Sequence, residues 1–371
     1  MTITDRFPRI TDEALDALRQ RIGKVVPRPQ PYIETATEDA IRHWTMGIGD
    51  RNPLYLDAAY AAASAHGTLL APPTILYAMD RIVSGYVGGL PGVHAMFAGT
   101  DWHFNRPIRL GDRIRGEARL KEPVIHEGRF AGRTIQQIYE VRFQDQRGEE
   151  VAWADSWCFR TERDTARERG KYTSDSVASV TPEEIAQVET EYQQERIRGA
   201  EPRRFSSIKV GDALDRIVRG PYTPTMAIAF VQGWGGLYVY AHSYAFDLFR
   251  RHPATAIRNA QGVPEPPERV HWDNEMARAA GVPAAYDYGP ERVSWMGTVA
   301  TNWMGDTGKL RRLYVEVRRH NLSGDIVRLG GSVVEATPLG NGGGVVRCKL
   351  EAHTQRGELS ATGFAEVELP A

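Results

Sequence analysis

Two long runs of alternating polar and apolar residues dominate the chain. One follows Arg109-Leu110-Gly111-Asp112 and the other follows Leu322-Ser323-Gly324-Asp325; the period of two reads each as a set of antiparallel strands. Ahead of each run lies a capped helix start, Thr37-Glu38-Asp39 in the first half and Thr223-Pro224, with proline at the first helical position, in the second. Other landmarks match in the same order. Ile22-Gly23-Lys24 has its counterpart in Val210-Gly211-Asp212, and Gln146-Arg147-Gly148-Glu149 recurs letter for letter as Gln355-Arg356-Gly357-Glu358, a polar hairpin tip before the last strand. Ordered matches of this kind predict an internal repeat over nearly the whole chain. Each half is expected to hold a strand, a helix of several turns, a polar signature segment, a second helix and three to five antiparallel strands. That order makes an α+β fold, a sheet curled around one largely buried helix, and two such units would pair as a pseudo-dimer.

The repeat divides the chain into a first unit over 1–163, a charged linker over 164–203 and a second unit over 204–371. The linker carries one amphipathic helix beginning at Thr181-Pro182, with Ile185, Val188 and Tyr192 on one face. The second unit is longer mainly because of a proline-rich stretch, Arg250 to Val270, which reads as a loop insertion. Gly340-Asn341-Gly342-Gly343-Gly344 lacks the following helix that a phosphate loop needs, so it reads as a plain hairpin turn.

Composition narrows the partners. At 371 residues the chain has room for two cores, and its formal net charge of −1 gives no overall pull on nucleic acid or anionic membrane. Cys158 and Cys348 stand in no metal-binding spacing and are too few for a disulfide framework, which suits a reducing compartment. The N-terminal stretch has no apolar leader core, and no window approaches a spanning helix. A cytoplasmic protein is expected, with no metal, no membrane and no nucleic acid.

Candidate chemistry gathers in two segments. Gly49-Asp50-Arg51-Asn52-Pro53-Leu54-Tyr55-Leu56-Asp57 sets a carboxylate beside a conformationally restricted Asn-Pro step. His271-Trp272-Asp273 carries a histidine where the first segment has Tyr55, and the same offset puts Ala71-Pro72-Pro73 on Asp287-Tyr288-Gly289. Plainer readings stand beside these. Asp50-Asn52-Pro53 also suits a turn and cap, and Asp57 and Asp273 suit the N-caps of the helices that follow them. His242 reads as a core or interface residue of an aromatic helix, His66 as a loop residue and His43 as surface. Trp234, Trp272, Trp295 and Trp303 read either as core or as the wall of a pocket for a flat, bulky group, with Asn302 as a polar contact.

The first segment, then Ala71-Pro72-Pro73-Thr74, then His103-Phe104-Asn105-Arg106-Pro107-Ile108-Arg109-Leu110-Gly111-Asp112, resembles the MaoC-like, (R)-specific enoyl-CoA hydratase and dehydratase family. The likeness is to its fused form with a FAS1-like dehydratase N-terminal domain. It implies a double-hotdog fold, an acyl-CoA or acyl-carrier thioester held in a tunnel between the lobes, and reversible hydration of a 2-enoyl to a 3-hydroxyacyl thioester without metal or redox cofactor. A homodimer of such chains is compatible with it. In that family an aspartate and a histidine of one signature share a water, while a backbone N–H near an Ala-His-Gly step faces the thioester oxygen.

Both halves depart from the family pattern. The first has Asp50 and Asn52 but Tyr55 in the histidine's place, and a phenol with an ordinary pKa of about 10 is a poor base at neutral pH. The second has His271, but Gly235-Gly236 and the insertion stand where the aspartate and Asn-Pro would lie. Three readings follow. His271 works with a carboxylate such as Asp273, Glu268 or Asp287; or Asp50 works with Tyr55; or the lobes bind thioesters without hydrating them. Gly289, Asp287, Asn52 and Asn302 are the candidates for oxyanion or substrate contacts. A thioesterase and a non-catalytic acyl-CoA-binding protein are the alternatives in function.

Overall fold

The computed structural model describes residues 9–371 apart from 28–29, 86, 92, 129–131, 163–176 and 341. Part of the expected linker and Asn341 of the glycine-rich turn therefore lie outside the described residues. The first half runs α1 (Asp12–Arg19), α2 (Glu38–Gly47), α3 (Pro53–Leu56), α4 (Ala58–Ala63), β1 (Leu70–Ala71), α5 (Leu76–Met79), β2 (His94–Phe104), β3 (Ile108–Arg109), β4 (Arg115–Gly128), β5 (Gly132–Gln144) and β6 (Glu150–Thr161). A connecting helix, α6 (Pro182–Gln193), leads to the second half. There follow β7 (Ile217–Arg219), α7 (Pro224–Trp234), α8 (His242–Arg251), β8 (Ile257–Arg258), β9 (Pro264–Glu265), α9 (Asn274–Ala279), α10 (Gly289–Met304), β10 (Lys309–Val317), β11 (Val327–Pro338), β12 (Gly344–Thr354) and β13 (Leu359–Leu369). No helix among the described residues is long and apolar enough to cross a membrane.

The two strand sets fuse into one nine-stranded antiparallel sheet in the order β4-β5-β6-β2-β10-β13-β12-β11-β7. The halves meet at β2 and β10, where Thr100 faces Val315 and Asp101 faces Tyr314. Arg312 clasps Asp101 across this seam through two bonds of 2.8 and 2.7 Å. The repeat is visible in individual hydrogen bonds. Asp112 accepts from the Arg109 amide at 2.8 Å and Asp325 from the Leu322 amide at 2.9 Å. Gln146 accepts from the Arg113 amide and Gln355 from the Ile326 amide, each at 3.0 Å. The aspartates bond to backbone donors three residues away and the glutamines reach from a hairpin tip to the neighbouring strand start, so each landmark is a few letters long.

α10 is the long helix inside the sheet. Every residue from Pro290 to Trp303 is buried, so the helix is enclosed on all sides rather than along one stripe. The first half differs from expectation here: its counterpart, α5, spans only four residues. Asp80 ends it, its carboxylate accepting from the amides of Ile82 and Val83 at 2.7 and 3.1 Å and turning the chain away. The insertion also differs from a plain loop. It is entered through α8, whose Leu248 and Phe249 are buried, and it holds the two-stranded pair β8–β9 and most of a short 3-10 turn over Pro267–His271. Cys158 and Cys348 are both buried and free.

Candidate functional site

The first signature folds as its local chemistry dictates. Asn52 caps α3 by accepting from the Leu54 amide at 3.0 Å, and Asp57 caps α4 by accepting from Ala59 and Tyr60. Asp50 is buried; its Oδ1 accepts from the Asn52 amide at 2.9 Å and its Oδ2 from the Thr298 hydroxyl of α10 at 3.0 Å. Burial raises the Asp50 pKa, while the Asn52 amide and the Arg219 guanidinium oppose that shift. Tyr55 is buried with its hydroxyl bonded to Thr301, and burial together with the Asp50 charge pushes its pKa far up. That phenol holds its proton. A small pocket with a cavity volume of about 60 Å³ opens beside it, lined by Asn52, His66, Ala71, Phe104, Thr301 and Met304 among others.

The second signature lies at the opposite end of α10. His271 ends the 3-10 turn over Pro267–His271, its Nδ1 2.8 Å from the Tyr286 carbonyl. A carbonyl only accepts, so Nδ1 carries the hydrogen and Nε2 keeps its lone pair. The imidazole stacks on Tyr288 with ring centroids 3.7 Å apart and meets Tyr286 edge-on at 4.8 Å. Burial lowers its pKa to about 4, the Tyr286 and Asp287 carbonyls pulling the other way. The ring is thus neutral at ordinary pH, the form a general base needs.

Gly289, beside Tyr288, is the first residue of α10. First-turn amides of a helix have no intrahelical acceptor and carry the positive end of its dipole, so they suit a developing oxyanion. The glycine is needed there. A Cβ at Gly289 would stand 2.1 Å from Cδ1 of Phe97, an aromatic ring that β2 of the first half lays over this helix end.

Other candidates prove to be committed elsewhere. Asp273 caps α9, accepting from Glu275 and Met276 at 2.7 and 3.0 Å, and pairs with Arg269 at 3.1 Å. Asp287 is buried in an ion pair with Arg292 and also accepts from Asn321 at 2.8 Å, so its carboxylate braces the loop rather than facing substrate. Asn302 is buried at the other end of α10, donating to Glu195 at 3.2 Å. Trp234, Trp295 and Trp303 are core, which removes the aromatic-walled pocket suggested by their spacing. His242 is exposed rather than packed in a core; His43 is also exposed, and His66 bonds the Asp306 carbonyl at 2.9 Å from its loop.

Glu268 is the third of the carboxylates offered as partners of His271, and its environment differs from that of the other two. It is buried, accepts from the amides of Leu237 and Tyr238 at 3.0 and 2.8 Å, and receives the Tyr288 hydroxyl at 3.3 Å. Burial raises its pKa, against those two amides, the Tyr288 hydroxyl and the charge of Arg81. Tyr288 therefore touches both His271, by its face, and Glu268, by its hydroxyl.

A single sheet around a long helix, formed by two repeats, defines a double hotdog. Residues 23–154 match the family model of the FAS1-like dehydratase domain region, and the fold as a whole is similar to that of solved MaoC-like dehydratases. A solved MaoC-like dehydratase superposes with a TM-score of 0.68 at 17% identity, covering 96% of this chain and 100% of its own. A double-hotdog protein of Mycobacterium tuberculosis superposes with a TM-score of 0.56 at 12% identity, covering 94% of this chain and 96% of its own. In sequence, a probable enoyl-CoA hydratase alpha subunit of Thermomonospora curvata is 28% identical over 161 residues, 36% of this chain. The chain spans about half of that relative's length, 48%.

Proposed function

We propose that this protein hydrates a 2-enoyl thioester reversibly to a 3-hydroxyacyl thioester, with His271 as the proton-transferring group. The observation that carries the reading is a neutral imidazole, its Nδ1 hydrogen fixed by Tyr286, set beside the N-terminus of α10. Nε2 takes a proton from water as the water oxygen bonds to the β carbon. The π electrons move toward the thioester oxygen, where the Gly289 end of the helix faces the negative charge. The imidazolium then delivers the proton to the α carbon, leaving the ring neutral for the next cycle. Proton transfer of this kind contributes on the order of 10²–10⁴ in rate.

Asp50 and Tyr55 form the pseudo-equivalent site, toward the far end of α10 from His271. Tyr55 cannot act as the base there, because its environment holds the phenol protonated. The likeness to an enoyl-CoA hydratase alpha subunit supports the same reaction class.

The test is a panel of enoyl-CoA esters, short and straight, branched, and ring-bearing, followed by loss of the enoyl absorbance, with free thiol measured in parallel. Hydration by the wild type that falls at least about a hundredfold in His271→Ala supports the assignment. Turnover that survives His271→Ala overturns it, and thiol release without enoyl loss favours the thioesterase reading.

A further inference from the structure

The second signature has a histidine but no aspartate before it, and the fold shows what stands in the missing position. Thr37 and Thr223 cap the paired helices α2 and α7, and Gly47 and Gly233 lie at the crossing of those helices. A Cβ at Gly47 would stand 3.2 Å from Phe230 Cα, and one at Gly233 would stand 2.9 Å from Trp44 Cα. Trp44 and Phe230 keep the same offset as the two threonines and the two glycines, so this contact is reciprocal, as a pseudo-twofold axis requires. The axis maps Gly49 onto Gly235, both left-handed with φ of 68° and 83°. It maps Asp50 onto Gly236 and Asn52 onto Tyr238.

We propose that Glu268, delivered by the insertion, takes the place of the aspartate that position 236 lacks and is the carboxylate partner of His271. The inference rests on the hydratase reading above and completes its acid/base pair. A Cβ at Gly236 would stand 2.9 Å from Glu268 Oε1, so the glutamate carboxylate lies where an aspartate side chain at 236 would extend. The hydrogen bonding is copied as well. Asp50 accepts from the amide two residues on, Asn52, at 2.9 Å; Glu268 accepts from the amide two residues beyond Gly236, Tyr238, at 2.8 Å.

Counting back from the other side of the insertion gives the reason a glutamate is used. Glu268 stands three residues before His271, as Asn52 stands three before Tyr55. From that backbone position a side chain must reach across to the 236–238 amides, and glutamate is one methylene longer than asparagine. Arg81 of the first half holds the receiving loop by donating to the Leu237 carbonyl at 2.7 Å. Asp273 and Asp287, the other carboxylates near His271 in sequence, are engaged by a helix cap and by Arg292. In the reaction, the Glu268 carboxylate accepts a hydrogen bond from the O–H that the attacking water keeps while His271 takes the other proton, and it offsets the imidazolium charge until that proton moves to the α carbon.

The experiment compares wild type, His271→Ala, Glu268→Gln, Glu268→Ala and the double variant Glu268→Ala with Gly236→Asp. Each is assayed for enoyl-CoA hydration over pH 5–9, with circular dichroism and melting recorded for each. Glu268→Gln keeps an acceptor for the loop amides and separates folding from chemistry. The expected result is a fall in kcat of roughly 10²–10⁴ with a small change in KM for both single Glu268 variants, and loss of the acid limb of the kcat profile in Glu268→Gln. Restoring a carboxylate from position 236 is expected to recover at least about tenfold of that loss, since a left-handed backbone tolerates aspartate better than most residues. A folded Glu268→Gln with wild-type kcat and pH profile overturns the Glu268 assignment while leaving His271 standing. A wild type inactive across the whole panel overturns the hydratase reading and this inference together.

Discussion

Acidification should destabilise this fold in part through His271. An unfolded histidine has a pKa of about 6.5, and in the folded chain burial holds this one near 4. The folded-state value is the lower of the two, so between them the unfolded chain binds the extra proton. Stability is therefore complete above about pH 6.5 and falls as pH drops through 6.5 toward 4. The full difference is worth about 3 kcal/mol, of which about 2 kcal/mol is already lost at pH 5. Asp50 and Glu268, whose pKa values burial raises, act in the opposite sense, so the histidine term has to be isolated by difference. Chemical denaturation of wild type and His271→Gln at pH 7 and pH 5 does this, because both carboxylates remain in both proteins. The wild type should lose about 2 kcal/mol more than the variant over that interval. Parallel pH dependences would mean that the imidazole is hydrated or charged in the folded state, and the account of His271 as a neutral base would fail with it.

Two further perturbations follow from the same geometry. Arg292→Met leaves the Asp287 carboxylate buried without its cation and should cost about 3–5 kcal/mol in denaturant unfolding, with part of that recovered in the double variant Asp287→Leu/Arg292→Met; a single-variant cost under about 1 kcal/mol would show that the pair is not a brace. Phe97→Ala uncovers the Gly289 end of α10 and should raise kcat/KM for ring-bearing enoyl thioesters about tenfold relative to short straight ones, on the scale of one to two side-chain contacts; an unchanged ratio would remove Phe97 from the substrate's path.

What was legible in the sequence is what short-range chemistry decides. Asp112 and Asp325 bond amides three residues back, Gln146 and Gln355 sit at tight hairpin tips, and Asp57 and Asp273 cap the helices they precede. Each of these contacts lies within a few residues or at a turn, so the repeat, the fold and the caps could be read from the letters. The length of α5 could not, because Ile75 to Met79 are as apolar as a longer helix would require; the stop comes from the Asp80 side chain bonding to Ile82 and Val83. The tryptophans were ambiguous for a related reason. On a helix buried on all sides, burial marks no single face as the one that meets a ligand, and α10 is such a helix.

The carboxylate of the second site was hidden by the largest of these effects. Its signal is divided between Gly235-Gly236, which mark the left-handed turn and the room left by an absent side chain, and Glu268, which lies near the far end of the insertion. Neither half means much alone. The glycine pair reads as a helix stop, and the glutamate reads as one of three carboxylates that could partner His271. They become one site only when the helices α2 and α7 cross and impose the pseudo-twofold relation that sets position 236 opposite position 50. An insertion at that point costs the signature its sequence pattern without costing the fold its geometry. A carboxylate can return to the same place from another part of the chain, provided that its side chain is long enough and the amides that receive it are held.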